Sequence, residues 1–85
     1  MSNVPTYELK DEDYRDGKID ILGVLVATGL ATSRSDARRN VEQGGVSVDD
    51  VVVTDIATSY VPEDFAGEGK LVKRGKKKFI RVTSK

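Results

Sequence analysis

Residues 29–48 contain, in immediate succession, the signals for the end of one helix, a second helix that is capped and basic, a glycine pair that can end it, and a strand. The hydroxyl of Ser33 can accept a hydrogen bond from an amide of the following turn. Asp36 stands three residues further on, where a carboxylate suits the positive end of a helix. The sequence therefore predicts a helix that begins at Arg34, in a chain where helices and strands alternate at close range.

The faces of this predicted helix differ in chemistry. Ala37 and Val41 are four residues apart and form a narrow apolar stripe. Arg34 and Arg38 share another face, and Arg39 lies beside them. One side of the helix can therefore pack on a core while another presents guanidinium groups to solvent or to a ligand.

A glycine pair and a valine-rich segment follow this helix. At residues 44–45 a positive φ can turn the chain directly into the strand Val46–Val48. A second β-branched run, Val51–Val53, lies just beyond Asp49-Asp50, so a hairpin is expected. Because aspartates adopt positive φ less readily than Asn-Gly, this turn is expected to be loose or bulged.

The remaining segments complete a small fold. From Ile19, apolar residues recur with helical spacing up to Gly29, which predicts a first helix. Residues 70–82 predict two strands joined at Arg74-Gly75-Lys76, with Phe79 and Arg81 on the face opposite the apolar one. The fold class is α+β, with two main helices packed on a small twisted, mostly antiparallel β-sheet.

The N-terminal segment is more polar than the rest. Residues 7–9 predict either a short edge strand or an extended tail, and residues 10–18 are too charged to bury. We therefore divide the chain into an N-terminal linker or extended segment, residues 1–18, with a turn at Asp16-Gly17, and a single domain, residues 19–85.

The charge of the chain is zero in sum and uneven in distribution. Residues 49–68 hold six acidic side chains and no basic one, whereas residues 70–85 hold eight basic side chains and no acidic one. The acidic segment is expected to be a solvated loop and strand edge, or else a surface that repels phosphate or contacts another domain. The basic segment is compatible with nucleic-acid binding despite the neutral total.

Absent residue types narrow the function classes. The chain contains no cysteine and no histidine, so thiolate metal sites, disulfides and histidine acid–base catalysis are excluded. Its longest apolar run is far shorter than the roughly 20 residues of a membrane span. We expect a non-catalytic cytoplasmic chain that needs no cofactor or metal and binds no membrane.

Two sequence motifs resemble a known family. Ser-Arg-Ser-Asp-Ala-Arg-Arg and Gln-Gly-Gly-Val-Ser-Val, at residues 33–39 and 43–48, resemble the RNA-binding module first described in a small-subunit ribosomal protein. Together with the glycine pair, Pro5-Thr6 and the segment Lys73–Phe79, they resemble the C-terminal domain of bacterial-type tyrosyl-tRNA synthetase. The catalytic signature of that family contains histidines, so it lies outside this chain.

The resemblance implies a function and partners. In that family the domain holds tyrosine tRNA between the anticodon stem and the long variable arm, and the implied partners include the catalytic and helical domains of a parent synthetase. The resemblance further implies a homodimeric parent, and we expect the isolated domain to be a monomer. The expected RNA-binding residues are Ser33, Arg34, Arg38, Arg39, Gln43, Lys73, Arg74, Lys76, Lys77 and Lys78.

Plainer explanations remain open for these residues. Arg38 with Glu42, and Arg39 with Asp36, can form solvated ion pairs worth only about 0.2–0.5 kcal/mol each. The lysine run can serve to keep a sheet edge soluble, and Phe79 is expected to pack in the fold more readily than to stack on a base. Alternative functions are a general structured-RNA-binding module of a ribosome-associated or RNA-modifying protein, and a protein-interaction module.

Overall fold

The computed structural model describes residues 5–75 and 78–84. Two α-helices, two short 3₁₀ segments and seven strands make up this part of the chain. The helices are α1 (Ile21–Thr28) and α2 (Arg34–Glu42), and the 3₁₀ segments are Asp11–Asp13 and Pro62–Phe65. The strands are β1 (Thr6–Leu9), β2 (Ile19–Asp20), β3 (Val46–Val48), β4 (Val51–Val52), β5 (Ser59–Tyr60), β6 (Lys70–Arg74) and β7 (Lys78–Ser84).

Five strands form the main sheet in the order β1-β7-β6-β3-β4. All neighbours in it are antiparallel except β1 and β7, which are parallel with Tyr7 opposite Val82. Strands β2 and β5 pair separately, with Ile19 opposite Tyr60. The predicted α+β fold of two helices on a mostly antiparallel sheet is confirmed.

The core lies between the helices and one face of the main sheet. Apolar side chains from α1, from α2 and from alternate positions of the main sheet are buried there. Leu25, Val41, Val72 and Val82 are among those with no exposed surface. Burial of one such aliphatic side chain stabilises a fold by about 1.5–3 kcal/mol. The acidic segment contributes Phe65 to the same core, so it is more than the solvated loop expected from its charge.

Helix α2 agrees with the sequence prediction. It begins at Arg34, and the hydroxyl of Ser33 accepts a hydrogen bond from the amide of Asp36 at 3.1 Å. The predicted stripe residues Ala37 and Val41 are fully buried. Gly44, with φ of 73°, turns the chain towards β3.

Helix α1 begins two residues later than predicted. The periodicity starts at Ile19, but Ile19 and Asp20 form the short strand β2, and the helix runs from Ile21. The carboxylate of Asp20 accepts a hydrogen bond from the amide of Gly23 at 2.8 Å, so it caps the helix. Gly29, with φ of 81°, ends the helix as predicted.

The β3–β4 turn is tighter than expected. Val48 pairs with Val51, and both intervening residues have positive φ, 51° for Asp49 and 67° for Asp50. The expectation of a loose or bulged turn is therefore wrong. Contacts with β6 compensate the strain, since Asp49 accepts a hydrogen bond from the Leu71 amide at 2.9 Å.

The N-terminal residues take part in the main sheet. Of the two alternatives for residues 7–9, the edge strand is present, and Leu9 is buried in the core. The predicted turn at Asp16-Gly17 is also present, with φ of 53° and 77°. In the described residues, neither helix is long and apolar enough to cross a bilayer.

Candidate nucleic-acid interface

Arg34, the first residue of α2, makes an ion pair across the fold. Its guanidinium donates two hydrogen bonds to the carboxylate of Asp20, at 2.5 Å and 3.3 Å. Asp20 also caps α1, so this carboxylate connects the N-termini of both helices. The side chain of Arg34 remains 60% exposed, which leaves it accessible to a ligand.

This contact changes the acidity of Asp20. Burial opposes ionisation of the carboxyl, but hydrogen bonds from Arg34 and the Gly23 amide, with the charge of Arg34, outweigh it. The pKa of Asp20 therefore lies below its ordinary value, and the carboxylate is charged throughout the neutral range.

The other two arginines of α2 point into solvent. Arg38 lies 3.6 Å from the carboxylate of Glu42, and its side chain is 60% exposed, so this pairing is the plainer alternative foreseen from sequence. For Arg39, the described residues provide no ion pair, including none with Asp36. At least one exposed guanidinium of α2 therefore forms no ion pair among the described residues.

Strand alternation divides the cations of the β6–β7 hairpin between two faces. Arg74 lies opposite both Val46 and Lys78, so these two cations share the face on which the helices pack. Lys73 lies opposite Ser47 on the other face, with Phe79 as its partner in β7. Phe79 and Arg81 are on the face opposite Ile80 and Val82, as predicted.

Lys73 is engaged by the β3–β4 turn. Its ammonium group lies 2.8 Å from a carboxylate oxygen of Asp50, and the neighbouring Lys70 lies 3.5 Å from Asp49. The predicted site residue Lys73 is therefore separated from α2 by the sheet and paired with an acid.

Arg74 connects the hairpin to α2. The pKa of Asp36 is lowered, first by its hydrogen bond from the Thr32 amide and, against a desolvation effect, by the charges of Arg74 and Arg39. The amide of Gly75 donates to the carbonyl of Gly45, just after α2, at 2.7 Å. The turn end of the basic hairpin thus lies beside the residues that follow α2.

Two of the predicted site residues, Ser33 and Gln43, carry no charge. Ser33 uses its hydroxyl oxygen to cap α2, and Gln43 is the C-terminal capping residue, whose amide donates to the Arg39 carbonyl at 3.0 Å. Both side chains are exposed. Lys76 and Lys77 lie outside the described residues.

The predicted residues therefore fall into separate groups. We call Arg38, Arg39, Arg74 and Lys78 the helix-side basic surface, because α2 and the helix-packed face of the hairpin carry them. Arg34 lies at the start of the same helix, whereas Lys73 belongs to the opposite sheet face.

Sequence reasoning missed a polar cleft beside Arg34. Arg15 and Lys18 line it together with Asp20 and Arg34. The Asp16-Gly17 turn was a usable local signal, but nothing in the sequence places that turn next to α2. Within residues 5–75 and 78–84, no cluster of acidic side chains is arranged to hold a metal ion.

Comparisons with known proteins identify the family. Residues 1–82 match the tyrosine–tRNA ligase SYY-like C-terminal domain. A tyrosine–tRNA ligase of Lachnoclostridium phytofermentans is 49% identical over 78 residues, which are 91% of this chain and 19% of that protein.

More distant relatives agree. The tyrosine–tRNA ligase of Clostridium tetani is 38% identical over 96% of this chain, and that of Bartonella quintana is 36% identical over 94%. The chain covers 19% of the length of each. The resemblance noted from the motifs is confirmed: this chain belongs to the family of tyrosine–tRNA ligase C-terminal domains.

Proposed function

We propose that this chain binds tRNA, and tyrosine tRNA in particular, as the non-catalytic C-terminal part of a tyrosine–tRNA ligase. The observation that carries the proposal is the junction of the basic helix with the basic hairpin, where the Gly75 amide donates to the Gly45 carbonyl at 2.7 Å. Family membership supplies the class of ligand.

The chemistry of the helix-side basic surface suits an RNA backbone. Guanidinium groups donate paired hydrogen bonds that match the spacing of phosphate oxygens. Arg39 and Arg74 both lower the pKa of Asp36 through their charges, so both guanidinium groups act on the same carboxylate of α2. Such a rigid cationic surface recognises the shape and phosphate spacing of folded RNA more than its sequence.

The proposal extends to the parent protein. The chain spans about a fifth of its relatives' length, so the aminoacylating chemistry belongs to other domains. The cytoplasmic parent is then a homodimeric ligase whose catalytic and helical domains adjoin this one. On its own the domain is a monomer. Ser33, Arg34, Gln43, Lys73, Lys76 and Lys77 remain proposed contacts beside the helix-side basic surface.

The decisive experiment is a titration of isotope-labelled chain with tyrosine tRNA, and with a tRNA that lacks the long variable arm, followed by amide shifts. We expect saturable shifts in α2 and at Lys73–Lys78, larger for tyrosine tRNA. Engagement of about five phosphates gives a slope of log affinity against log salt of roughly −3.5 to −4.5.

Other results would redirect the assignment. Equal binding of both tRNAs would leave a general structured-RNA module, and no binding at low salt would exclude RNA as the ligand. A variant with Arg38→Glu and Lys77→Glu should lose tRNA binding. The control reverses Lys10, which lies between β1 and the first 3₁₀ segment and outside α2 and the β6–β7 hairpin, and should retain most of it.

A further inference from the structure

A cleft of about 320 Å³ opens beside the N-termini of both helices. Its walls include Arg15, Lys18, Asp20, Arg34 and Ser59, which come from the Asp16-Gly17 turn, β2, α2 and β5. This volume is at the lower end of the range for small-ligand sites, about 300–1,000 Å³. The cleft is therefore large enough for one small polar ligand or one unit of a polymer.

Both carboxylates in the cleft are already engaged within the protein. Asp20 accepts hydrogen bonds from the Gly23 amide and from Arg34. Asp13 accepts from the Lys10 amide at 2.9 Å and from the Tyr7 hydroxyl at 3.3 Å. Asp20 is thus paired before any ligand arrives, and Asp13 is held by two hydrogen bonds to its Oδ2.

The cationic side chains that flank the Asp16-Gly17 turn, Arg15 and Lys18, differ from these carboxylates in their contacts. The backbones of Arg15 and Lys18 are joined by hydrogen bonds of 2.7 Å and 3.0 Å, which hold both residues at the base of a tight turn. No ion pair to either side chain forms within the part of the chain that the structure describes. Both residues are exposed, so the donors left for a ligand are cationic.

We propose that this cleft receives one nucleotide of the bound RNA, with Arg15 and Lys18 on its phosphate. The inference rests on the proposed function and extends the RNA surface beyond the residues expected from sequence. Arg34 makes the extension continuous, because it lines the cleft and also begins α2. Ser59 supplies a hydroxyl at the same wall, suited to a ribose or base edge.

The test compares the chain with an Arg15→Gln/Lys18→Gln variant in tRNA titrations at several salt concentrations. If the contact with this one phosphate is lost, affinity should fall and the salt slope should become shallower by about 0.7–0.9. The control for the single variant Lys18→Gln is Lys10→Gln, which removes one positive charge outside the cleft. Lys10→Gln should change neither the tRNA affinity nor the salt slope.

A second variant distinguishes a loss of tRNA binding from a loss of folding. Ser59→Tyr fills the cleft without altering charge and should also weaken tRNA binding, while the amide spectrum elsewhere stays as in the parent chain. The cleft proposal would be overturned if the Arg15→Gln/Lys18→Gln variant kept the wild-type affinity and salt slope. The proposed function would stand in that case if charge reversal at Arg38 and Lys77 still abolished binding. Equal losses in the Lys18 and Lys10 variants would also overturn it, and a parent chain that binds no tRNA would overturn both proposals.

Discussion

Gly69 is the residue whose identity the fold constrains most severely. Its φ is +73°, and a Cβ built there would lie 2.0 Å from the carbonyl oxygen of Val82. Gly67 has the same φ, but nothing lies within 4 Å of its Cβ position. The pair separates the cost of a left-handed backbone from the cost of a steric clash with β7.

We expect Gly67→Ala to lower the free energy of unfolding by about 1–2 kcal/mol, the cost of left-handed backbone for an alanine. Gly69→Ala should lower it by more than about 3 kcal/mol, because strand β7 must also move. Urea unfolding of both variants provides the measurement. Equal losses of unfolding free energy in the two variants would contradict this expectation, because the clash with β7 would then add nothing to the cost of the left-handed backbone.

At the scale of elements, the two helices are coupled through one carboxylate. Asp20 caps α1 and pairs with Arg34 at the start of α2. Its pKa is lowered in the folded chain, so the unfolded chain binds the proton more readily. The stability due to this carboxylate is present above the unfolded pKa, about 3.9, and is lost as the pH falls through the folded value.

Asp20→Asn keeps a capping oxygen and removes the charge. We expect it to lower the free energy of unfolding by about 1 kcal/mol or less at neutral pH, since Arg34 is largely exposed. Below about pH 4 the difference should shrink towards zero. Unfolding curves across that range measure it, and a difference independent of pH would contradict the ion pair.

Local signals account for what could be predicted among these elements. Helix α2 was predictable because Ser33, Val41 and Gly44 lie within about three helical turns of sequence. Ile19 was misassigned to α1 because its pairing with Tyr60 depends on a strand forty residues away in sequence. Contacts of this kind, including Asp20 with Arg34, leave no short-range signature.

The candidate site was predictable to a similar degree. The resemblance and the basic runs indicated Arg39, Arg74 and Lys78, which share the helix side of the sheet. Alternation along β6 separates Lys73 from them, and its pairing with Asp50 could not be foreseen without the register of β3 and β6. The tight Asp49-Asp50 turn was missed for the same reason, since β6 supplies its compensating contacts.

At the scale of the whole molecule, part of the acidic segment lies against part of the basic segment. The β3–β4 turn places Asp49 beside Lys70 and Asp50 beside Lys73. Lys70 shares the helix-packed face of β6 with Arg74, whereas Lys73 lies on the opposite face. Within the helix-side basic surface, the described residues form one ion pair, Arg38 with Glu42, and Arg39, Arg74 and Lys78 contribute positive potential where RNA is proposed to bind.

Asp50→Asn should release Lys73 while preserving the turn, because asparagine tolerates positive φ. We expect tRNA affinity to rise by up to about tenfold, with a salt slope steeper by roughly 0.7–0.9 if Lys73 gains a phosphate. Asp55→Asn is the control, since Asp55 accepts from the Ala57 amide and contacts no lysine among the described residues. Unchanged affinity in both variants would place Lys73 outside the RNA interface.

The parallel pairing of β1 with β7 has a consequence for folding during synthesis. Tyr14 donates to the Ser84 hydroxyl at 3.0 Å across 70 residues of sequence, and Leu9 pairs with Ser84 in the sheet. As this domain leaves the ribosome, β1 emerges before β7 and has no neighbour in the main sheet until β7 follows. Its pairing closes one of the longest loops in the domain, which is slow to form. The helices and the β3–β4 hairpin can assemble earlier, and β7 completes the main sheet.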